Sequence, residues 1–374
     1  MLNIAVLSTS YNDNSGITEF SFDLIERLSQ HCAIHYFSND FCEYSKNNIK
    51  FRNFKNFEKH ANSFKYIICH MGNCYDYHYW IYEVIKKYSC IVHLHDLVYQ
   101  HFLLQYFKSI HGKYINNDYL NLLEDWYSFD NNKILKDLCI ENLDSFISSS
   151  IVLDFPLFEE VIKNSEKIII HSKFCFDKIK AKFPNKNLHI HKQLYNLNVS
   201  LNYQRKNKTI IGIFGSPAKH KCTDIALKIL DRFDNISILI CGMIDEHTYE
   251  LINNYGTLKS KTTHTGYLST NDFNNNLSKC DLIINLRKPT MGETSAIVTK
   301  ALQFGIPVIV SNCGWYRELP KFILKVDNED IENDLFNKIK YYLNNQSNIL
   351  DQFNDFSKSY NSCTVKEYLD FVIS

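Results

Sequence analysis

The sequence predicts an α/β protein built from two doubly wound parallel sheets, and three observations support this class. Short apolar runs recur along the chain, and each is apolar on consecutive residues, as expected for strands covered on both faces. Segments with helical periodicity, such as 17–30 and 223–233, lie between these runs. A length of 374 residues exceeds what one ordinary core holds and favours two domains.

The apolar runs place the strands in chain order. They are 4–9, 33–38, 66–71, 90–95 and 167–172 in the first half, and 210–215, 236–241, 282–286 and 307–311 in the second. A polar, basic segment at 197–209 without apolar periodicity separates the halves. We therefore predict two Rossmann-like domains facing a cleft, at 1–199 and 205–345, followed by terminal helices at 346–374. Residues 97–166 are aromatic-rich and helical in pattern, which indicates an insertion in the first domain.

Composition narrows the class of protein. The formal net charge is zero, which gives no reason to expect nucleic acid as a partner. The first residues, MLNIAVLSTS, lack the pattern of a signal peptide, and no apolar run approaches the ~20 residues of a membrane span. We expect a cytoplasmic protein, with peripheral contact at the inner membrane face left open. The 12 cysteines and 15 histidines show no C-x-x-C or H-E-x-x-H spacing, so no metal site is predicted.

Ligands of doubly wound sheets bind at loops that follow strand C-termini, where helix N-termini present free N–H groups. The first such loop, 8–20, reaches Gly16 before an amphipathic helix. A glycine there lets the backbone approach a ligand closely, although a simple helix start explains it equally well. The loop is not G-x-G-x-x-G, so the fingerprint of a nicotinamide or flavin enzyme is absent.

The second group of candidates follows two neighbouring strands of the first domain. Asn73 and His78 follow the strand at 66–71, and His95 and Asp96 end the strand at 90–95. These side chains are expected to face the cleft. Asn73, His78 and Asp96 are expected on the side of the cleft that binds an acceptor substrate. A histidine beside a strand end is more often a structural residue, and one histidine alone specifies no reaction.

The third loop, FGSPAKHKCTD, lies between a strand and a helix of the second domain. Lys219 and Lys221 precede the helix N-terminus, so two cations and the helix dipole would converge on one anion. The loop lacks G-x-x-x-x-G-K-[ST], which excludes an ATPase P-loop. A solvated loop with two exposed lysines is the alternative.

The fourth loop, RKPTMGETS, leads into a helix predicted at 295–304. Gly292 frees the backbone ahead of the helix, and its first turn is predicted to bind an anion through Thr294, Ser295 and Ala296. Glu293 cannot neutralise a phosphate and is expected to accept hydrogen bonds from sugar hydroxyls. This combination predicts a site for a sugar attached to a diphosphate.

At this point the sequence resembles a known family. PTMGETSAIVTKALQFGIPVIVS-x-x-GW-x-x-ELP is similar to the donor site of glycosyltransferase family 4, of the GT-B fold, especially members that build bacterial polysaccharide and lipopolysaccharide. TGYLSTNDFNNNLSKCDLIINLR, FGSPAKHKCTDIAL and VHLHD resemble further segments of that family. The resemblance implies a retaining transferase that uses a nucleotide-diphosphate sugar and requires no metal or other cofactor. The donor would bind on the second domain and the acceptor on the first.

The resemblance also implies residue roles. His95 matches the strand-end histidine against the donor sugar, Gly16 the glycine loop near the diphosphate, and Lys221 the phosphate-binding lysine. Two positions depart from the family pattern. Many members have two glutamates eight positions apart. The second corresponds to Lys300 here, and the first corresponds to Gly292, which is followed by Glu293. The family's arginine early in the phosphate loop is missing here, and Ser216 lies near its position. Arg287 or Lys219 would supply the positive charge instead.

The resulting prediction is transfer of a hexose from a UDP- or GDP-sugar to a glycan or lipid-linked acceptor. Lys221, helped by Lys219 or Arg287, would stabilise the departing diphosphate, and Glu293 and His95 would orient the sugar. Two alternatives stay open: a GT-B sugar-nucleotide epimerase, and a non-catalytic subunit that binds a sugar nucleotide or glycan for a partner transferase.

Overall fold

The computed structural model describes residues 2–11, 13, 15–40, 43–127, 143, 146, 149–193, 208–215, 218–359 and 364–374. The chain divides into two compact units. The first unit comprises Met1–Gln193, Met291–Thr294 and Cys363–Ser374, and the second comprises Leu194–Thr290 and Ser295–Ser362. The last residues of the chain therefore belong with the first unit.

The first unit contains an eight-stranded sheet with the order β3-β4-β2-β1-β5-β6-β7-β8. Its strands are β1 Asn3–Leu7, β2 Ala33–Ser38, β3 Tyr44–Lys46, β4 Ile49–Asn53, β5 Tyr66–Met71, β6 Ile91–Leu94, β7 Lys167–Ile170 and β8 Asn187–Ile190. All neighbours pair in parallel except β3 and β4. The order reverses between β1 and β5, the kind of point where doubly wound sheets bind ligands.

The second unit contains a six-stranded parallel sheet with the order β11-β10-β9-β12-β13-β14. Its strands are β9 Thr209–Phe214, β10 Ile236–Cys241, β11 Thr262–His264, β12 Leu282–Asn285, β13 Val308–Ser311 and β14 Leu324–Val326. Apolar clusters cover both faces, so Ile238 and Leu239, adjacent in β10, enter different clusters. Burial on both faces explains why these strands are apolar without alternation.

Fifteen helices lie within the described ranges. They are α1 Gly16–Leu28, α2 Phe57–His60, α3 Tyr75–Lys87, α4 Gln100–His111, α5 Asn117–Trp126, α6 Phe158–Ile162, α7 Lys173–Lys182, α8 Thr223–Leu230, α9 Glu246–Asn254, α10 Leu258–Lys261, α11 Thr270–Leu277, α12 Ala296–Gln303, α13 Ile331–Asn344, α14 Gln346–Ser359 and α15 Val365–Ile373. In the part of the chain that the structure describes, no helix has the length and apolar character needed to cross a membrane.

The structure confirms the predicted class, two parallel-sheet α/β domains with helices at the C-terminus. All nine predicted strands are present, and five further strands were not predicted: β3, β4, β8, β11 and β14. Four of these five form the edges of the two sheets. Edge strands are covered on fewer sides, so they carry polar residues and lack the apolar run that signals a buried strand.

Two organisational predictions fall partly on residues that the structure does not describe. The predicted linker at 197–209 lies outside the described residues except for its last two positions. Within the predicted insertion at 97–166, the described part contains α4, α5 and α6, in keeping with the helical pattern.

Candidate functional site

The C-terminal end of β9 in the second unit carries a lysine beside a helix N-terminus. Gly215 follows the strand with φ of +95°, and a short 3₁₀ helix, Lys219–Lys221, leads on towards α8. A Cβ at Gly215 would lie 3.3 Å from Ile297 Cδ1 and 3.8 Å from Lys221 Nζ. The Lys221 ammonium group thus lies over the end of the strand, next to the first turn of α12. Ser216 lies outside the described residues.

The loop after β12 meets this lysine loop. The Lys288 N–H donates to the carbonyl oxygen of His220 at 2.7 Å, which ties the two loops together. Arg287 is buried, its backbone N–H donates to Ser311 Oγ at 2.8 Å, and its Nη1 donates to the carbonyl of Leu286 at 2.7 Å. The second unit therefore brings the lysine loop and the loop that carries Arg287 together after the C-terminal ends of β9 and β12.

The N-terminus of α12 is capped by its own serine. Ser295 Oγ accepts a hydrogen bond from the N–H of Val298 at 3.3 Å, and Thr299 Oγ1 donates to the carbonyl of Ser295. The Ser295 hydroxyl thus stabilises the start of the helix. Ala296, the first residue of the helix, is exposed, and the N–H groups at a helix start are donors that an anion can use.

Lys300 lies in the second turn of α12. Its ammonium group is 5.2 Å from the centre of the Phe273 ring on α11, and that ring packs edge-on against Phe214 at the end of β9. This geometry suits a cation–π contact. The contact joins α12 to α11 within the second unit, close to the strand that leads into the lysine loop.

The residues Met291–Thr294 pack with the first unit rather than the second. The carbonyl of Met291 accepts hydrogen bonds from the N–H groups of Leu97 at 2.9 Å and Val98 at 3.1 Å. The Cys175 thiol donates to the carbonyl of Gly292 at 3.1 Å. Glu293 Oε2 accepts from the N–H of Met291 at 2.7 Å, so this carboxylate also shapes its own turn.

Replacing Gly292 by alanine is expected to destabilise the first unit by about 3 kcal/mol. Gly292 has φ of +78°, and an added Cβ would lie 2.3 Å from Leu97 Cβ, so strain and a clash act together. Gly112→Ala is the matched control, because Gly112 has φ of +77° and no atom within 4 Å of the added Cβ. Denaturant unfolding followed by circular dichroism should show the control losing only about 1 kcal/mol. Equal losses in both variants would contradict the clash.

The other candidates of the first unit organise their own loops. Asp96 Oδ2 accepts from the N–H of Asn73 at 2.8 Å, and Asn73 Oδ1 accepts from the N–H of Phe102 at 3.0 Å in the first turn of α4. His78 is buried and donates from Nδ1 to the carbonyl of Cys74 at 2.9 Å. Gly16 is the exposed first residue of α1.

His95 belongs to a buried cluster of histidines that sequence reasoning did not recognise. Its members are His70, His93, His95, His171 and His191, and Phe20 from α1 packs against every one of them. The strands β5 to β8 are parallel and in register, with His70 paired to His93. Histidines two residues apart, as in His93-Leu94-His95, share one face of the sheet, and this spacing is the signal available in the sequence.

Hydrogen bonds assign the tautomers along this cluster. His171 Nδ1 lies 2.8 Å from the carbonyl oxygen of His191, which only accepts, so that nitrogen carries the proton. In the neutral rings, His171 Nε2 then accepts from His95 Nδ1 at 3.1 Å, and His95 Nε2 accepts from His70 Nδ1 at 3.0 Å. Both ring nitrogens of His95 are thus engaged inside the cluster.

Burial keeps these rings neutral. It lowers the pKa of His70 to about 3 and that of His171 to about 4, and it also holds the pKa of His93, His95 and His191 well below the ordinary value. The mutual repulsion of the protonated rings acts in the same direction at all of them except His171.

Comparison with known proteins supports the fold. No family model matches the chain, and no curated protein matches it. Solved structures match over its whole length: a sucrose-phosphate synthase from Thermosynechococcus elongatus has a TM-score of 0.66 at 12% identity, with 100% of this chain and 97% of that chain covered. HepE from Anabaena in complex with UDP-glucose has 0.63 at 11%, covering 100% and 98%. WaaG, a glycosyltransferase involved in lipopolysaccharide biosynthesis, has 0.64 at 9%, covering 100% of both chains.

The two parallel-sheet units together with these matches define the class: the chain has the GT-B fold. At 9–12% identity the likeness concerns architecture alone.

Proposed function

We propose that this protein is a glycosyltransferase that uses a nucleotide-diphosphate sugar as donor. One observation carries the proposal: in the second unit, Lys221 Nζ lies beside the first turn of α12, at the C-terminal edge of a parallel sheet. Cations and free N–H groups that point to one place bind phosphate, and doubly wound sheets bind ligands at this edge. The GT-B neighbours include a protein solved with UDP-glucose, which is consistent with this proposal.

Departure of the sugar leaves a negatively charged nucleoside diphosphate, and the second unit supplies the groups to stabilise it. The Lys221 ammonium group and the first-turn N–H groups of α12 are in place before the reaction, so they do not need to reorganise as charge develops. Arg287 adds positive charge from the neighbouring loop, which the Lys288–His220 hydrogen bond holds in position. Lys219 precedes Lys221 in the same 3₁₀ helix. These groups need no metal ion to neutralise the diphosphate.

The finer assignments rest on the sequence resemblance. We propose a retaining family 4 enzyme that transfers a hexose from a UDP- or GDP-sugar to a glycan or lipid-linked acceptor. Glu293 would orient sugar hydroxyls through its carboxylate, of which Oε2 also accepts from the N–H of Met291. His95 would contact the sugar only by releasing a hydrogen bond to His70 or His171.

The test is turnover of nucleotide sugars by the full chain. Purified protein is incubated with UDP- and GDP-sugars, with and without glycan and lipid-linked acceptors, and free nucleotide and glycosylated product are quantified. We expect nucleotide release that requires an acceptor, and stabilisation against heat by the matching nucleotide in proportion to its concentration over its Kd. Release without an acceptor would indicate an epimerase instead. Binding without turnover would indicate a non-catalytic subunit, and no binding of any nucleotide would refute the proposal.

A further inference from the structure

The histidine cluster of the first unit contains three rings arranged as metal ligands. One nitrogen from each of His70, His93 and His95 lies within 4.8 Å of the other two, and all three rings are buried. His70 Nδ1 and His95 Nε2 are 3.0 Å apart. Two ligands of a tetrahedral zinc ion, at 2.0–2.1 Å from the metal, are separated by about 3.4 Å. Movements of the rings by about 1 Å would therefore bring all three nitrogens within bonding distance of one ion.

Two nitrogens in this group have no hydrogen-bond partner in the structure. They are His70 Nε2 and His93 Nε2, both buried away from solvent. A buried polar atom without a partner is costly and rare, and an ion at that place is one of its physical explanations. The neutral rings offer lone pairs, because burial lowers the pKa of each histidine in the cluster.

A metal-bound histidine usually makes a hydrogen bond through the ring nitrogen that does not bind the metal. Here His93 and His95 each have such a partner outside the group of three rings. His95 Nδ1 donates to His171 Nε2, and His171 in turn donates to the carbonyl of His191. This chain leaves His95 Nε2 as the nitrogen with a lone pair. His93 Nδ1 lies 3.3 Å from the hydroxyl of Tyr368 on α15, which leaves His93 Nε2 as the ring nitrogen without a partner.

We propose that His70, His93 and His95 form a site for a divalent late transition metal, with zinc as the best match. An all-imidazole set selects zinc, copper or nickel over magnesium and calcium, which prefer oxygen ligands. The ion replaces the His70–His95 hydrogen bond and binds His93 Nε2, His95 Nε2 and one ring nitrogen of His70. A water or hydroxide completes a tetrahedron. The Ser21 hydroxyl lies beside the proposed site, 3.3 Å from His70 Nδ1.

The proposed metal site uses residues of the first unit and none of the phosphate-binding groups proposed in the second unit. It bears on one residue of that proposal, because a His95 ring that binds an ion through Nε2 and donates through Nδ1 has no nitrogen left for a sugar. Metal binding and the sugar contact predicted for the His95 side chain therefore exclude each other. The Lys221 site stands whichever of the two is correct.

The experiment titrates untagged, chelator-treated full-length protein with Co²⁺, whose visible absorption reports tetrahedral coordination, and measures bound Zn²⁺ by mass spectrometry. We expect one equivalent of either ion, and a melting temperature that rises with Zn²⁺ and falls back with chelator. His93→Gln is expected to weaken binding by roughly 100-fold. His247→Gln, which removes an exposed histidine of the second unit, is the control and should bind as the native protein does.

Two results would overturn the site. One is that the native protein binds less than one equivalent of metal ion or gives only the spectrum of octahedral Co²⁺. The cluster would then be a chain of neutral, hydrogen-bonded rings. The other is a folded His93→Gln protein that binds Co²⁺ as tightly as the native one. If His93→Gln does not fold, the stoichiometry, the Co²⁺ spectrum and the zinc-dependent melting temperature of the native protein decide the question.

Discussion

Replacing Lys221 by methionine is expected to lower the turnover of a nucleotide-sugar donor by roughly 10²–10³-fold, the usual effect of removing one preorganised group that stabilises developing charge. Methionine keeps an apolar stem over Gly215 and Ile297 but removes the ammonium group that lies there. The loss should appear mainly in kcat, because charge on the diphosphate grows as the sugar leaves. Steady-state rates of nucleotide release measure the effect.

Two companion variants make this result specific. Lys221→Arg keeps the positive charge and should recover part of the rate, although its planar group does not reproduce a point charge. Lys259→Met removes an exposed lysine of α10 in the same unit and should leave both rate and stability unchanged. If Lys221→Met turns over the donor at the native rate, Lys221 is not the phosphate-binding lysine.

The metal-free protein is expected to lose stability steeply as the pH falls below about 6.5. Burial lowers the pKa of His70 to about 3, and that of His78 and of His171 to about 4. In the unfolded chain these rings titrate near 6.5, so at acid pH the unfolded state binds protons that the folded state cannot. The free energy of unfolding is therefore unaffected by these rings above pH 6.5 and decreases as the pH falls from 6.5 towards 4.

The size of the effect follows from the shifts. At pH 5 each of these three histidines costs about 2 kcal/mol, or about 6 kcal/mol together, which approaches the whole stability of many domains. Urea unfolding at pH 7.5, 6.5, 5.5 and 5.0, in the presence of a chelator, measures it. His247→Gln should reproduce the native pH profile, because that side chain is exposed in the folded protein. A free energy of unfolding that stays level between pH 7.5 and 5 would contradict the buried, neutral state of these three histidines.

Among the strands, burial explains which ones could be predicted. β10, ISILIC, is covered by apolar clusters on both faces and shows a continuous apolar run in the sequence. β3, YSK, is an exposed edge strand that pairs with β4 alone, and nothing in its composition distinguishes it from a loop. Pairing of backbone groups holds such strands, and backbone pairing leaves little trace in the side chains.

Among the candidate residues, the sequence indicated which loops follow the strands, and the structure adds the hydrogen bonds that the side chains of those loops make. Lys221 was predicted to lie before the N-terminus of the helix that follows it, α8, and the structure also places its ammonium group near Ile297 in the first turn of α12. Ser295 was predicted to help bind an anion, and in the structure its hydroxyl caps α12. A serine at a helix start serves either purpose, and only the three-dimensional arrangement of acceptors and N–H groups shows which one it serves.

The sequence by itself determined the α/β class, the buried strands and the loops that follow them, because these depend on local patterns of apolar and polar residues. The tertiary structure alone decided that Met291–Thr294 pack with the first unit and that histidines 70, 93, 95, 171 and 191 meet around Phe20. Both depend on contacts between residues far apart in the chain. The register of parallel strands brings such residues to one face, and a register is a property of the folded sheet, which no single strand carries in its own sequence.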